Sequence, residues 1–176
     1  VLGCGHEADE RARRDKYAMI RNVADYAAPR GIRIALEIHG GIMANADEAL
    51  RTMDEVDRDN VGVNFDTANI LFYNDDLDAA GAVAELDRLA DRVFHVHLKD
   101  IIRGKTQAEH VLPRLGQGEV DFRKVFDVLH AADFRGPFSF EVETFHGATA
   151  ADDITPYHED LLASIDYIRS LNEFDA

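Results

Sequence analysis

Four short runs, LEIHG, NFDTAN, HVHLKD and FSFEVET, each place a carboxylate or an imidazole near the C-terminal end of an apolar-backed segment. At the two-residue period of a strand, Ile32, Ile34, Leu36 and Ile38 share one face of the first run, and Ala35, Glu37 and His39 share the other. In the second, Val61, Val63 and Phe65 oppose Asn64 and Asp66; in the third, Phe94, Val96 and Leu98 oppose His95 and His97. In the fourth, Phe138, Phe140 and Val142 oppose Ser139, Glu141 and Glu143. Glu37, Asp66, His97 and Glu141 together make an oxygen-rich donor set with one neutral imidazole and no thiolate. Such a set suits a hard or borderline divalent ion, Mn²⁺ before all, with Mg²⁺, Co²⁺ and Zn²⁺ as the other candidates. Bound to sugar oxygens, an ion of this kind polarises a carbonyl and orients the neighbouring hydroxyl. A carboxylate beside it can then remove the proton from the adjacent carbon. That is the chemistry of aldose-ketose isomerisation and of epimerisation.

The neighbours of these four residues have simpler readings. His95 lies deeper in its strand than His97 and reads as an interior histidine with its hydrogen bonds met. Glu143 shares the face of Glu141, one step further out, as a supporting or solvated acid. Lys99 has the parity to reach the mouth of a pocket, whereas a Lys99-Asp100 surface pair would contribute little. Gly116 and Gly118 stand before a helix start, where barrels can bind phosphate, but a flexible turn is their plainer role.

The elements that must position these groups alternate. A strand tail at Val1 to Cys4 precedes a helix from about Glu7 to Ala28, with Tyr17, Ile20, Ala24 and Ala27 at helical spacing and Pro29 and Gly31 as its stop. Strand Ile32 to Ile38, a Gly40-Gly41 loop and a helix from Ala46 to Val56 follow. Next come strand Val61 to Asp66, a loop to Asp75, a helix to Leu89 and strand Arg92 to Leu98. The longest loop, Lys99 to Val120, ends at Asp121, a cap for a helix with the stripe Phe122, Val125, Phe126 and Leu129. Gly136-Pro137 opens the last strand, and a helix from Pro156 to Leu171 carries Leu161, Ile165 and Ile168 on one face.

Glu37 and Asp66 are 29 positions apart and Asp66 and His97 are 31 apart, matching a strand-helix unit of about 30 residues. No linker interrupts the series, so residues 1–176 read as a single domain. Polar residues late in successive strands converge in an eight-stranded (β/α)8 TIM-type barrel, an α/β fold, whereas no glycine-rich phosphate fingerprint supports a doubly wound sheet. A full barrel needs about 250 residues. Four units and a strand tail are therefore expected to be its C-terminal portion, with the earlier strands outside this sequence. An open strand edge would make such a chain prone to self-association, including homo-oligomers.

A formal charge of −15 argues against nucleic-acid partners, which need a basic footprint. No apolar run approaches the roughly 20 residues of a membrane span. The single cysteine, Cys4, excludes an intrachain disulfide and fits a reducing cytoplasm.

LEIHG, NFDTANI, HVHLKD, LGQGEVDF and FRGPFSFEVET, in this order, resemble the later half of the xylose isomerase-like barrel superfamily, over about residues 30 to 145. The resemblance is to its sugar phosphate isomerase/epimerase-type members, which include hydroxypyruvate isomerases, ketose 3-epimerases and inosose dehydratases. It implies one divalent ion held by Glu37, Asp66, His97 and Glu141. Glu141 is preferred to Glu143 because the family's acid stands five residues after the glycine matching Gly136. The epimerase branch further implies Glu37 and Glu141 as an acid/base pair on opposite faces of a carbohydrate substrate. His39, Asn69, Lys99, Arg103 and Glu143 are then the expected substrate-binding residues. Two departures stand out. Asn69 occupies the place of a ketose epimerase histidine and cannot carry a proton, and Arg103 matches the family's arginine only across a loop. Abasic-site endonucleases of the same family carry an Asp-x-His pair in the long loop, and none occurs between Lys99 and Val120.

Three functions follow as expectations. The first is a metal-dependent isomerase or epimerase of a sugar, sugar phosphate or small hydroxy-ketone. The second is a dehydratase of a keto-inositol or related polyol, with Lys99 or His39 assisting the leaving hydroxyl. The third is a non-catalytic metal- or sugar-binding fragment of a barrel.

Overall fold

The computed structural model describes residues 1–5, 7, 9–146 and 153–171. Four strands, β1 (Ile34–Glu37), β2 (Val61–Asp66), β3 (Val93–Leu98) and β4 (Phe138–Phe140), lie side by side in chain order and pair only in parallel. Parallel neighbours require a crossover, usually helical. Here α2 (Ala46–Val56) links β1 to β2, α3 (Asn69–Phe72) and α4 (Ala79–Leu89) link β2 to β3, and α5 (Phe122–Ala131) links β3 to β4. Helix α1 (Glu10–Ala27) precedes β1, and α6 (Thr155–Ser170) follows β4. Leu2 forms a single parallel bridge with Leu36, donating to Ala35 O at 2.9 Å and accepting from the Glu37 N–H at 3.1 Å. A sequentially ordered parallel sheet is the wall of a TIM-type barrel, since a doubly wound sheet reverses its order at a switch point.

The core lies between sheet and helices. Tyr17, Ile20, Ala24 and Ala27 of α1 are buried, as are Phe122, Val125, Phe126 and Leu129 of α5. They pack in one cluster with Leu36, Val63, Phe65, Val96 and Leu98 from the strands. On α6 only Ile168 of the expected trio is buried; Leu161 and Ile165 are half-buried. Ile165 borders an apolar hollow of about 360 Å³ with Leu98, Phe138 and Phe140 beside β4.

The structure corrects several boundaries. Ile32 lies outside β1 and is 52% exposed. The last strand stops at Phe140, after which one ladder bond remains, from the Glu141 N–H to Leu98 O at 3.0 Å. The expected loop after Asp66 contains α3. Its nucleus is the Asp66 carboxylate, whose Oδ1 accepts from the Ala68 and Asn69 N–H groups at 2.9 and 2.8 Å, the local bonding that favours such turns.

The alternative of a Lys99-Asp100 surface pair falls, because the two residues are 5% and 1% exposed. The Asp100 carboxylate accepts from the backbone N–H groups of Ile101, Gly116, Gly118 and Val120 at 2.9, 2.9, 2.8 and 3.2 Å. The glycines are thus fixed in a clasp rather than a flexible turn. A Cβ on Gly118 would overlap Asp100 Oδ1 and Ile101 O. Gly118→Ala is therefore expected to cost about 1–3 kcal/mol, the usual penalty of overpacking. The check is the urea midpoint at unchanged slope; a midpoint equal to that of the parent would show that the clasp yields freely.

Candidate metal centre

The strand register brings the four acidic and imidazole residues to one end of the sheet. Asp66 ends β2 directly opposite His97 on β3, Glu37 ends β1, and Glu141 stands one residue past β4. One ligating atom from each of Glu37, Asp66, His97 and Glu141 lies within 4.8 Å of all the others. His97 Nδ1 is 3.1 Å from Glu37 Oε1, 2.9 Å from Glu141 Oε2 and 3.6 Å from Asp66 Oδ2.

Acceptors outnumber donors here. Glu37 Oε1 takes the hydrogen bond with His97, while Asp66 Oδ2 and Glu141 Oε2, though close, are not aligned for one and are buried without a partner. Converging buried carboxylate oxygens are costly unless a cation meets them. A divalent ion fits this donor set, with Glu37, Asp66, His97 and Glu141 as the residues that would hold it.

The charges are strongly coupled. Burial pushes the Asp66 carboxyl up to about 6, against the pull of His97 and Lys99. Glu141 is held down to about 2, chiefly by His97 and against the effect of its own burial. Burial also opposes a charge on His97, but the Asp66, Glu141 and Glu37 carboxylates around the ring outweigh it and push the imidazole up to about 11. Without an ion, His97 therefore keeps its proton at neutral pH, and an ion must displace that proton to use the nitrogen. Raising the pH weakens this competitor. Divalent-ion affinity is expected to climb about tenfold per pH unit between about pH 7 and 9, with about one proton released per ion. Calorimetry in buffers of different ionisation enthalpy measures both, and a flat profile would remove His97 from the ligand set.

Beneath His97, the edge-on ring of His95 sits at 5.1 Å. Its Nδ1 lies 2.6 Å from Asn64 Oδ1 and its Nε2 2.9 Å from Ser139 Oγ, and burial, then His97, lowers its pKa. Both ring nitrogens are thus occupied below the centre.

Above the centre is a hollow of about 190 Å³. Glu37 and Glu141 border it together with His39, Asn69, Lys99 and Glu143. Lys99 Nζ is 2.5 Å from Glu143 Oε2, 3.6 Å from Glu141 Oε1 and 3.4 Å from Asn69 Oδ1. Burial opposes its charge, yet Asp66, Glu143 and Glu141 raise its pKa. Thr67 Oγ1 fixes the start of the loop by donating to Lys99 O at 2.6 Å and accepting the Lys99 N–H at 3.0 Å.

Arg103 is not brought to this hollow. Its backbone N–H and Nε bind the Glu119 carboxylate at 2.7 and 3.0 Å, and Nη1 donates to Leu77 O at 2.6 Å. It borders a neighbouring depression with Asp75 and Lys105.

Phe72, Tyr73 and Leu112, which also border the hollow, escaped the sequence reading. Tyr73 stacks at a tilt on His39, ring centroids 4.9 Å apart, with its hydroxyl 3.2 Å from Nε2. Its signal was present, because Phe72 and Tyr73 stand three and four positions after Asn69 and share its helical face. Leu112 comes from the long loop, where no period marks it.

Comparison with known proteins agrees with this geometry. Residues 3–171 match the family model described as xylose isomerase-like TIM barrel. The L-ribulose 3-epimerase of Methylomonas sp. (strain DH-1) is 33% identical over 138 residues, 76% of this chain and 43% of that protein. The inosose dehydratase of Geobacillus thermodenitrificans (strain NG80-2) is 30% identical over 138 residues, 70% of this chain and 45% of that protein. The crystal structure of D-allulose 3-epimerase from Methylomonas sp. in complex with D-allulose superposes with a TM-score of 0.67 at 27% identity, covering 93% of this chain and 57% of that one. The chain thus spans about half the length of the proteins it matches. With its sequential parallel strands and its acidic and imidazole residues gathered at their C-terminal ends, the chain belongs to the xylose isomerase-like TIM barrel family.

Proposed function

We propose that this chain supplies the metal site and the acid/base residues of a divalent-metal-dependent sugar isomerase or epimerase. The observation that carries the reading is the convergence of Glu37, Asp66, His97 and Glu141 within 4.8 Å, with Asp66 Oδ2 buried and unpartnered. The ion, Mn²⁺ in our reading, supplies polarisation of the substrate carbonyl when bound. Glu37 and Glu141 border the hollow from opposite ends of the four-stranded wall. One takes the proton from the carbon beside the carbonyl and the other returns a proton. Asn69 and Lys99 hydrogen-bond substrate hydroxyls, and Phe72, Tyr73 and Leu112 at the border of the hollow exclude water. The similarity to sugar epimerases supports this reading.

A dehydratase is the second reading. It is favoured by Asn69, which cannot carry a proton, and by the similarity to inosose dehydratases. His39 or Lys99 would then assist the departing hydroxyl. Incubation of the Mn²⁺-loaded protein in D₂O with free ketoses and a keto-inositol tests both. Deuterium at the carbon next to the carbonyl supports the isomerase or epimerase. A product lighter by one water identifies the dehydratase, and neither change in any substrate would sink both.

A further inference from the structure

We infer that the hollow selects uncharged ketoses or cyclic keto-polyols against phosphorylated or carboxylated ones, and that Glu143 sets this selection by neutralising Lys99. The inference rests on reading the hollow as the substrate site. Three groups close to the hollow in the chain or in space have the chemistry to hold a phosphate: the Lys99 ammonium at its border, the Arg103 guanidinium, and the amides of Gly116, Gly118 and Val120. Each already carries a carboxylate of the chain. Glu143 lies 2.5 Å from Lys99 Nζ, Glu119 lies 3.0 Å from Arg103 Nε, and Asp100 takes the amides at 2.8 to 3.2 Å.

Among the described residues bordering the hollow, Lys99 is the one lysine or arginine. Facing it are the carboxylates of Glu37, Asp66 and Glu141. A divalent ion offsets two of those three charges, so the centre stays negative, and the Lys99-Glu143 pair adds no net charge. An incoming phosphate or carboxylate therefore meets like charge and would have to displace Glu143 from Lys99. Sugar hydroxyls meet acceptors and donors without that opposition. Glu143 side-chain exposure is 47%, so replacing it leaves the packing intact.

The test has two arms. In the first, inorganic phosphate is titrated calorimetrically at constant ionic strength into the metal-free full chain, its Glu143→Gln variant and the Glu143→Gln/Lys99→Met double variant. Glu143→Gln is expected to bind phosphate about tenfold more tightly than the parent, the gain of releasing Lys99 from its nearest anion, and the double variant is expected to lose that gain. Equal binding by the parent and Glu143→Gln, or a gain that survives loss of Lys99, overturns the inference. In the second arm, solvent deuterium exchange into D-fructose and D-fructose 6-phosphate is compared on the Mn²⁺-loaded protein. A kcat/KM at least about tenfold lower for the ester, narrowing in Glu143→Gln, supports selection by charge. Equal or faster exchange into the ester overturns it while leaving the isomerase reading intact. Exchange into neither sugar, with the phosphate titration as expected, supports the neutralised lysine and counts against the isomerase reading instead.

Discussion

Asp66→Asn is expected to lower Mn²⁺ affinity by at least about 100-fold, the upper end of what even an outer partner of a ligand costs. The two oxygens of Asp66 have separate tasks. Oδ1 accepts the Ala68 and Asn69 N–H groups, and Oδ2 faces the His97 ring without a partner. An asparagine must keep its oxygen toward those two amides to avoid setting donor against donor. Its NH₂ group then points at the ion site, where a donor in place of an anionic ligand repels a cation. The backbone bonds survive and a fully buried carboxylate is removed, so the metal-free variant should unfold at or above the parent temperature. Adding Glu37→Gln is expected to abolish measurable one-to-one binding. Chelator competition followed by calorimetry measures both variants. Affinity of the single variant within threefold of the parent would remove Asp66 from the site.

Glu141→Gln is expected to slow deuterium exchange by about 10²–10⁴-fold, the contribution of one positioned acid/base group. The position is well suited to a clean test. The ladder bond from the Glu141 N–H to Leu98 O is made by backbone and persists in the variant. Lys99 keeps Glu143 as its nearest anion. Because Glu141 also stands among the expected ligands, exchange must be compared at saturating Mn²⁺ for each protein, with unchanged circular dichroism as the control for folding. Exchange within tenfold of the parent would leave Glu37 as the sole candidate base. Exchange lost together with all metal binding would assign Glu141 to ligation alone.

The sequence by itself determined which residues share a face. Strand and helix periods are properties of the local backbone, so alternation alone separated Glu37, Asp66 and His97 from the packing residues. Helical spacing likewise named the buried stripes of α1 and α5. The repeat of about 30 residues was enough to identify a parallel strand-helix series. Parity could not choose between Glu141 and Glu143, which a two-residue period puts on the same side. Only the tertiary structure does so: β3 and β4 pair His97 with Ser139, and the chain beyond Phe140 brings the Glu141 carboxylate to 2.9 Å from His97 and the Glu143 carboxylate to 2.5 Å from Lys99. The burial of Asp100, the capture of Arg103 by Glu119 and the arrival of Leu112 at the hollow also belong to tertiary structure. In each case the partners are brought together by the return of a long loop. No local period records which segments meet there, because the closure of that loop is fixed by buried hydrogen bonds between residues distant in the chain.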